Sequence, residues 1–340
     1  MSAVNVRPAP PVAPEVRAAL DRVKREAPNL RSATMTPAES RASQRKNLPS
    51  FIRLPLSDMA RIEDREIPGK GGTIRIRLYT PRSAVPGGSA RPVSLFFHTG
   101  GFVFGDLDSD DPQCRRIAEV SGCIMVSVDY RLAPEHKFPG AYEDALSAWD
   151  WMVANARAIG GDGVRFGVCG GSAGGNLTAA VCRYARDQAR ARKGPVPLFQ
   201  LVFVGGFNVP QDSVASHAWF ALGGSNDEFA RMVRSAYRRT EADQQDIRYS
   251  PLISDDFADF APAMVIVGEC DAMCDEGLMY AEKLRASKVP VDLHVAKGQV
   301  HQVFSWAGAF PEGPKVIALG AGAMRNAMER ETSATQARNG

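Results

Sequence analysis

Residues 164–176 read Val-Arg-Phe-Gly-Val-Cys-Gly-Gly-Ser-Ala-Gly-Gly-Asn, which is the strongest local signal in the chain. Residues 164–168 predict a short buried strand, and the residues after the glycines predict a helix. Between strand and helix, Gly170, Ser172 and Gly174 form the only G-x-S-x-G in the chain. A serine on such a tight turn is exposed at the end of a sheet, so the pattern predicts a nucleophile. A phosphate-binding loop would need Gly-Lys-Ser/Thr, which is absent.

Short apolar runs alternate with helical patterns on both sides of this stretch. The other apolar runs lie at 93–97, 123–128, 199–204, 264–267 and 291–295, and residues 73–79 alternate with period two. Helical patterns lie at 110–120, 142–156, 176–190 and 276–286. Continuous apolar strands with helices between them are typical of a parallel sheet that is covered on both faces. The sequence therefore predicts an α/β fold with a mostly parallel sheet.

The first 65 residues do not follow this alternation. They carry apolar residues at helical spacing, namely Val16, Leu20, Val23 and Ala27. A second helix is predicted after Thr36, because threonine is a good N-cap and Pro37 suits the first helical turn. We expect residues 1–65 to form N-terminal cap helices.

The alternation stops a second time between residues 211 and 248. This segment has no apolar run of strand length, and residues 229–237 show a helical pattern. We expect residues 211–248 to form a helical cap insertion above the sheet. Residues 66–210 and 249–340 are then expected to form one catalytic core.

Composition narrows the class of protein further. The 340 residues include 41 Lys and Arg against 38 Asp and Glu, a surplus too small to predict a nucleic-acid or membrane-surface partner. No segment reaches the roughly 18 consecutive apolar residues of a membrane span, and the first residues lack the apolar core of a secretory signal. The six cysteines are dispersed without a C-x-x-C pair, which favours free thiols over disulfides or a zinc site. We therefore expect a cytoplasmic protein without metal or cofactor.

A serine hydroxyl becomes a strong nucleophile only with a base that is oriented by an acid. The run 264–267 leads into Asp271, and the last run, 291–295, leads into His301. The chain order serine, acid, histidine is the one expected for a sheet of this kind. His301 is the only one of five histidines that follows a final strand in this way. We therefore predict a catalytic triad of Ser172, Asp271 and His301.

A serine nucleophile also needs donors for the negative charge that develops on a substrate oxygen. The run 93–97 ends in His-Thr-Gly-Gly at 98–101, where glycines let the main chain approach a carbonyl group closely. We predict that the amides of Gly100 and Gly101, with that of Ala173 next to the serine, form an oxyanion hole. An ordinary Gly-Gly turn is the alternative interpretation of this segment alone.

Together these segments resemble the hormone-sensitive lipase family of α/β-hydrolase carboxylesterases, from about Val12 to about Glu329. Four stretches carry the resemblance to its H-G-G-G, D-Y-R-L-A-P-E, G-D-S-A-G-G and D-P-L-R-D-E-G motifs: 98–101, 129–136, 170–175 and 271–277. The resemblance implies the α/β-hydrolase fold, a mostly parallel eight-stranded sheet with helices on both faces and a helical cap. It also implies a serine carboxylesterase that hydrolyses short-chain esters through an acyl-enzyme.

The sequence departs from the family pattern at four places. Thr99 stands where the family has the first glycine after histidine, and Gly171 stands where it has an aspartate. Ala-Met at 272–273 replaces Pro-Leu, which leaves Asp275 as a second candidate for the triad acid. Residues 301–304 read His-Gln-Val-Phe instead of beginning H-G-F. We expect the pockets beside the triad to differ from the usual ones.

Other functions fit the same scaffold. Amide hydrolysis, deacetylation and dehydration use related sites, and a plant receptor class for gibberellins resembles the family without a functional triad histidine. The presence of His301 argues against a non-catalytic receptor.

The expected partner is a small-molecule ester rather than a nucleic acid. Six aromatic residues near the motifs or in the insertion are candidates for pocket walls or for plain core: Phe102, Phe104, Phe207, Trp219, Phe220 and Phe304. By analogy with the family, a homodimer could form through the last strand, at 291–295.

Overall fold

The computed structural model describes residues 8–28, 35–47, 50–83, 85, 90–210, 213–223 and 227–339. Its strands are β1 (Met59–Gly69), β2 (Gly72–Pro81), β3 (Arg91–Phe97), β4 (Ile124–Asp129), β5 (Gly161–Gly171), β6 (Phe199–Phe203), β7 (Ala263–Gly268) and β8 (Val291–Ala296). They form one sheet in the order β1-β2-β4-β3-β5-β6-β7-β8. Strand β2 is antiparallel to both of its neighbours, and the other pairs are parallel. The predicted α/β-hydrolase sheet is confirmed.

The central strands are apolar on both faces because both faces are covered. Leu95 pairs in register with Val126 and with Val168, and all three belong to one core cluster. The next residue along β3, Phe96, pairs with Cys169, and both belong to the cluster on the opposite face. Alternate side chains of a strand point to opposite faces, so a strand that is covered twice reads as a continuous apolar run.

The helices are α1 (Pro14–Glu26), α2 (Pro37–Asn47), α3 (Asp111–Ser121), α4 (Gly140–Asn155), α5 (Ala173–Arg190), α6 (Asp227–Tyr237), α7 (Cys274–Ala286) and α8 (Gly313–Asn339). Helices α3 and α8 contribute to the cluster on one face of the sheet, and α4, α5 and α7 contribute to the other. No helix within the described residues is long and apolar enough to cross a membrane.

Residues 59–65 correct the predicted extent of the N-terminal cap. The sequence predicts that these residues belong to cap helices, but they lie in β1. Most of this edge strand is exposed, and its Asp64 forms an ion pair with Arg77 of β2. An edge strand of this kind carries charged residues instead of an apolar run, so its sequence does not show the signal on which the prediction relied.

The N-terminal segment, here residues 8–28, 35–47 and 50–58, contains the two predicted helices. Thr36 caps α2 as expected, because the Glu39 amide donates to its hydroxyl and the Thr36 amide donates to the Glu39 carboxylate. Helix α1 buries its apolar face on the loops that follow β7 and β8, in a cluster with Cys270, Val300, Trp306 and Phe310. The Ala13 amide also donates to the Gly298 carbonyl, at 3.0 Å.

The insertion, residues 213–223 and 227–248 of the described chain, lies between β6 and β7. It contains a 3-10 helical stretch at Ala215–Gly223 and helix α6. Residues 211, 212 and 224–226 of the predicted cap lie outside the described residues. Strand β8 lies at one edge of the sheet. Dimerisation through it stays a prediction, as does the cytoplasmic location.

Candidate active site

The nucleophile elbow, residues 170–175, is shaped by contacts of the main chain. Ser172 lies between β5 and α5 with φ 54° and ψ −116°, a conformation that residues with side chains rarely adopt. A Cβ atom on Gly174 would overlap the Phe97 carbonyl oxygen, and one on Gly170 would overlap the carbonyl oxygen of Gly174. The two glycines of G-x-S-x-G are therefore required by close packing of the backbone.

Ser172, His301 and Asp271 form one hydrogen-bonded chain. The His301 Nε2 atom lies 2.9 Å from the Ser172 Oγ, and its Nδ1 lies 2.9 Å from both carboxylate oxygens of Asp271. The Asp271 side chain is fully buried, whereas that of His301 is 26% exposed. With Nδ1–H donating to the carboxylate, Nε2 is free to accept the serine proton. The structure brings the three predicted residues together in this order.

The structure also distinguishes the two candidate acids. Asp271 accepts a second hydrogen bond from the Met273 amide at 2.8 Å, which helps to orient its carboxylate. Asp275 accepts a hydrogen bond from the Ser216 amide of the insertion, also at 2.8 Å. Asp275 therefore anchors the insertion, and Asp271 is the carboxylate that contacts His301.

The oxyanion loop, residues 98–104, follows β3 and lies beside the elbow. Gly100, Gly101 and Phe102 all have positive φ, at 125°, 63° and 65°. Within the described residues, the amides of Gly100 and Gly101 donate no hydrogen bond. The amide of Ala173 is the first of α5 and has no acceptor within that helix. Residues 100, 101 and 173 border the same cavity as Ser172, where their amides are available to an oxyanion.

The first residues of the oxyanion loop are fixed by buried polar groups. The Thr99 amide donates to the Asp110 carboxylate at 2.6 Å, and burial raises the pKa of Asp110 to about 6. Burial lowers the pKa of His98 to about 4, so its neutral ring donates through Nδ1 to the Thr99 carbonyl. The Tyr130 ring stacks on His98 with 4.1 Å between centroids, and its hydroxyl donates to the His98 carbonyl. The first residues of the oxyanion loop are therefore held in place by these contacts.

A cavity of about 680 Å³ opens onto the triad and is lined by the core, the N-terminal segment and the insertion. Four of the six candidate aromatic residues line it: Phe102, Phe104, Trp219 and Phe220. The other two, Phe207 and Phe304, are fully buried in the core. Sequence reasoning missed Phe229 and Val233 of α6 as lining residues. Their spacing of four residues in the sequence indicates that they share one helix face, but not that this face borders the cavity.

Two departures from the family pattern are in contact with each other. A Cβ atom at position 171 would lie 2.8 Å from the Thr99 Cγ2 and 2.8 Å from the Phe304 ring. The methyl group of Thr99 therefore occupies space beside Gly171 that a larger residue there would need. The two residues are complementary in size.

Comparison with known proteins agrees with the fold and with the motifs. Residues 94–305 match the family of the alpha/beta hydrolase fold. The chain is 37% identical over 288 residues to the esterase LipI of Mycobacterium tuberculosis, which covers 83% of this chain and 87% of that protein. It is 33% identical over 252 residues to an ethyl acetate hydrolase of Pseudomonas putida, which covers 73% of this chain and 77% of that enzyme.

The solved structure of an ester hydrolase from the metagenome of Lake Arreo superposes with a TM-score of 0.84. The two are 30% identical, and the match covers 93% of this chain and 98% of that one. Fold and motifs together define an α/β hydrolase. Within that class, the chain belongs to the hormone-sensitive lipase family that its sequence motifs resemble.

Proposed function

We propose that this chain hydrolyses short-chain carboxylic esters with Ser172 as the nucleophile. Carboxylic ester hydrolysis is the activity class of the chain, in keeping with its family and with relatives that are named esterases. The assignment of Ser172 as the nucleophile rests on the hydrogen-bonded chain that runs from Asp271 through His301 to Ser172. This chain ends at the wall of a cavity.

In the proposed reaction, the Ser172 Oγ attacks the ester carbonyl carbon while His301 accepts the hydroxyl proton. The amides of Gly100, Gly101 and Ala173 stabilise the negative charge of the tetrahedral intermediate. His301 then protonates the departing alcohol, which leaves an acyl-enzyme on the serine. Water attacks this ester with His301 again as the base, and the carboxylic acid is released. Asp271 holds the imidazole in the productive tautomer throughout.

Two observations support a preference for short acyl chains. The insertion covers part of the cavity, where the Phe229 ring stacks on Phe104 with 5.7 Å between centroids, and Val233 lies against Gly101. One similar enzyme is named for ethyl acetate, a small ester. These side chains narrow the cavity beside the oxyanion loop, which favours a small acyl group at that position.

Hydrolysis of p-nitrophenyl esters with acyl chains of two to twelve carbons tests the proposal. We expect the highest kcat/KM with the shortest chains, and a loss of about 10,000-fold or more in Ser172→Ala. A fluorophosphonate probe should label the wild type but not Ser172→Ala. Full activity of Ser172→Ala would overturn the assignment of the nucleophile, and an unlabelled wild type would favour a receptor.

The bond that is cleaved needs a separate test, because triads of this type also hydrolyse amides. An ester and an amide with the same acyl group and matched leaving groups should be assayed in parallel. We expect a clear preference for the ester. Activity that is confined to the amide would overturn the proposed function while leaving the triad assignment intact.

A further inference from the structure

The oxyanion loop contains a run of three residues with positive φ, and the last of them is not a glycine. Gly100 and Gly101 tolerate this backbone conformation, but Phe102 at φ 65° carries a side chain that disfavours it. A residue in such a conformation persists only where the surrounding structure holds it there. Gly101 directly precedes Phe102, so the contacts that hold Phe102 also restrict the position of Gly101, a proposed oxyanion donor.

Helix α6 of the insertion supplies two aromatic contacts to this loop. The Tyr237 ring stacks on the Phe102 ring, with 3.9 Å between centroids and 6° between planes. Two helical turns earlier, the Phe229 ring stacks on Phe104 with an interplanar angle of 8°. Tyr237 itself is 3% exposed and is fixed by the ring of Tyr249 at 5.5 Å. The strained residue is therefore packed against a side chain that cannot easily move.

Val233 lies on the same face of α6, between these two aromatic residues. Its Cγ1 atom is only 2.5 Å from the position that a Cβ atom of Gly101 would occupy. The valine side chain thus fills the space next to the Gly101 Cα and limits rotation of the adjoining peptide groups. Residues 229, 233 and 237 are spaced four apart, so a single helix face covers the loop.

Helix α2 holds the loop through a different kind of contact. The Arg41 Nε donates to the Val103 carbonyl at 2.7 Å, and its Nη2 donates to the Ala133 carbonyl at 2.8 Å. The Ala133 amide in turn donates to the Phe102 carbonyl at 2.8 Å. Carbonyl groups of the loop are therefore fixed by hydrogen bonds, and the strained side of the loop is covered by α6.

We propose that Val233 and Tyr237 of α6 are positioning residues for the oxyanion amides. This inference rests on the proposed function, because it assigns a role toward the oxyanion of the acyl-transfer reaction. The proposed role differs from that of a helix that only covers the cavity. A covering helix affects which esters bind, whereas a positioning helix affects the reaction rate of every bound ester. Hydrogen bonds that form mainly in the transition state raise kcat rather than lower KM.

Four variants test this role. Tyr237→Leu removes the stacked ring, and we expect kcat for a short p-nitrophenyl ester to fall about 10- to 100-fold with KM changed less than about threefold. Val233→Ala removes two methyl groups, with an expected fall of about three- to tenfold. Tyr237→Phe keeps the ring and should restore most of kcat. Arg231→Ala, on the exposed face of α6, controls for general effects on the helix.

A short-chain trifluoromethyl ketone provides an independent readout. Ser172 adds to its carbonyl and generates an oxyanion in the same place as the substrate does. We expect its inhibition constant in Tyr237→Leu to rise by about the factor by which kcat/KM falls. Thermal unfolding and the final extent of fluorophosphonate labelling report whether the variants are folded. If Tyr237→Leu does not fold, the smaller change in Val233→Ala decides the question.

Unchanged kcat and an unchanged inhibition constant in a folded Tyr237→Leu would overturn the positioning role. An effect confined to KM, or one that grows with acyl length, would also overturn it and leave α6 as a cover. Ser172→Ala in the same assays keeps the two proposals apart. If Ser172→Ala retains activity, the proposed function fails; if it is inactive while Tyr237→Leu has wild-type kcat, only the positioning role fails.

Discussion

The nucleophile elbow and the oxyanion loop lie side by side, and each contains a strained residue that is held in a different way. Ser172 is fixed by the core: its amide donates to the Phe203 carbonyl at 2.9 Å, and Gly174 packs on the main chain of Phe97. Phe102 is held by the Ala133 amide, which donates to its carbonyl, and by the side chain of Tyr237, which belongs to the insertion. The elbow is thus stabilised within the sheet and α5, whereas the loop depends partly on a segment outside them.

Substitutions in the insertion can affect both substrate binding and the oxyanion loop. Residues of the insertion line the cavity and also pack on the oxyanion loop. A change there that admits a new substrate therefore risks displacing Gly101. Changes in the insertion carry no such penalty for Ser172, because the elbow is positioned by backbone groups of the core.

The largest effect is expected from the steric lock of the elbow. Gly174→Ala places a Cβ atom on the Phe97 carbonyl oxygen, so we expect activity to fall at least about 100-fold and the free energy of unfolding to fall by about 3 kcal/mol. Gly322→Ala in α8 is the matched control, because its Cβ would meet nothing within 4 Å. That change should stabilise the helix by about 0.5–1 kcal/mol. Urea unfolding and ester hydrolysis measure both effects. A fully active and fully stable Gly174→Ala would show that the elbow is not held by close packing of its backbone.

An intermediate effect is expected where the two regions touch, at Thr99 and Gly171. Gly171→Ala introduces a Cβ atom 2.8 Å from the Thr99 methyl group and from the Phe304 ring, and should destabilise the protein by about 1–3 kcal/mol. Thr99→Ser removes that methyl group, so the double variant should recover about 1 kcal/mol of this loss. Recovery is incomplete because Phe304 remains. Strictly additive free energies in the double-mutant cycle would show that the elbow and the loop are independent at this contact.

The smallest effect concerns the base of the oxyanion loop and depends on pH. Burial raises the pKa of Asp110 to about 6, against about 4 in an unfolded chain. Between these values the folded protein binds a proton that the unfolded protein does not, so stability from this group increases as pH falls toward 4. Relative to Asp110→Asn, the wild type should gain about 1 kcal/mol between pH 7 and pH 5, as measured by urea unfolding. A constant difference would mean that the Thr99 amide holds Asp110 ionised over this range.

The sequence predicted the parts of the site that follow strand ends. Ser172, Asp271 and His301 each follow a predicted strand, and the carboxyl ends of parallel strands meet at one edge of a sheet. Their convergence therefore follows from topology, and the structure shows hydrogen-bond distances between them. The same reasoning failed for β1, because an edge strand rich in charged residues lacks the apolar pattern that marks the other strands.

Contacts between distant segments could not be read from local patterns. Phe102 and Tyr237 are separated by more than 130 residues, and nothing in either motif indicates that their rings stack. Thr99 and Gly171 were recognised as separate departures from the family pattern, but their complementary sizes became visible only in three dimensions. Likewise, the role of Asp275 depended on Ser216, in a part of the chain with no strand pattern to place it.

The docking of α1 bears on how the protein is made in the cell. Roughly 270 residues separate the end of α1 from Val300, one of the residues that cover its apolar face. At synthesis rates of about 5–20 residues per second, the apolar face of α1 stays without this contact for on the order of tens of seconds. Cys270 and Val300, which directly precede Asp271 and His301, are covered by this earlier-synthesised helix. Helix α1 therefore reaches its packed position only after the loops that carry the acid and the base of the site have been synthesised.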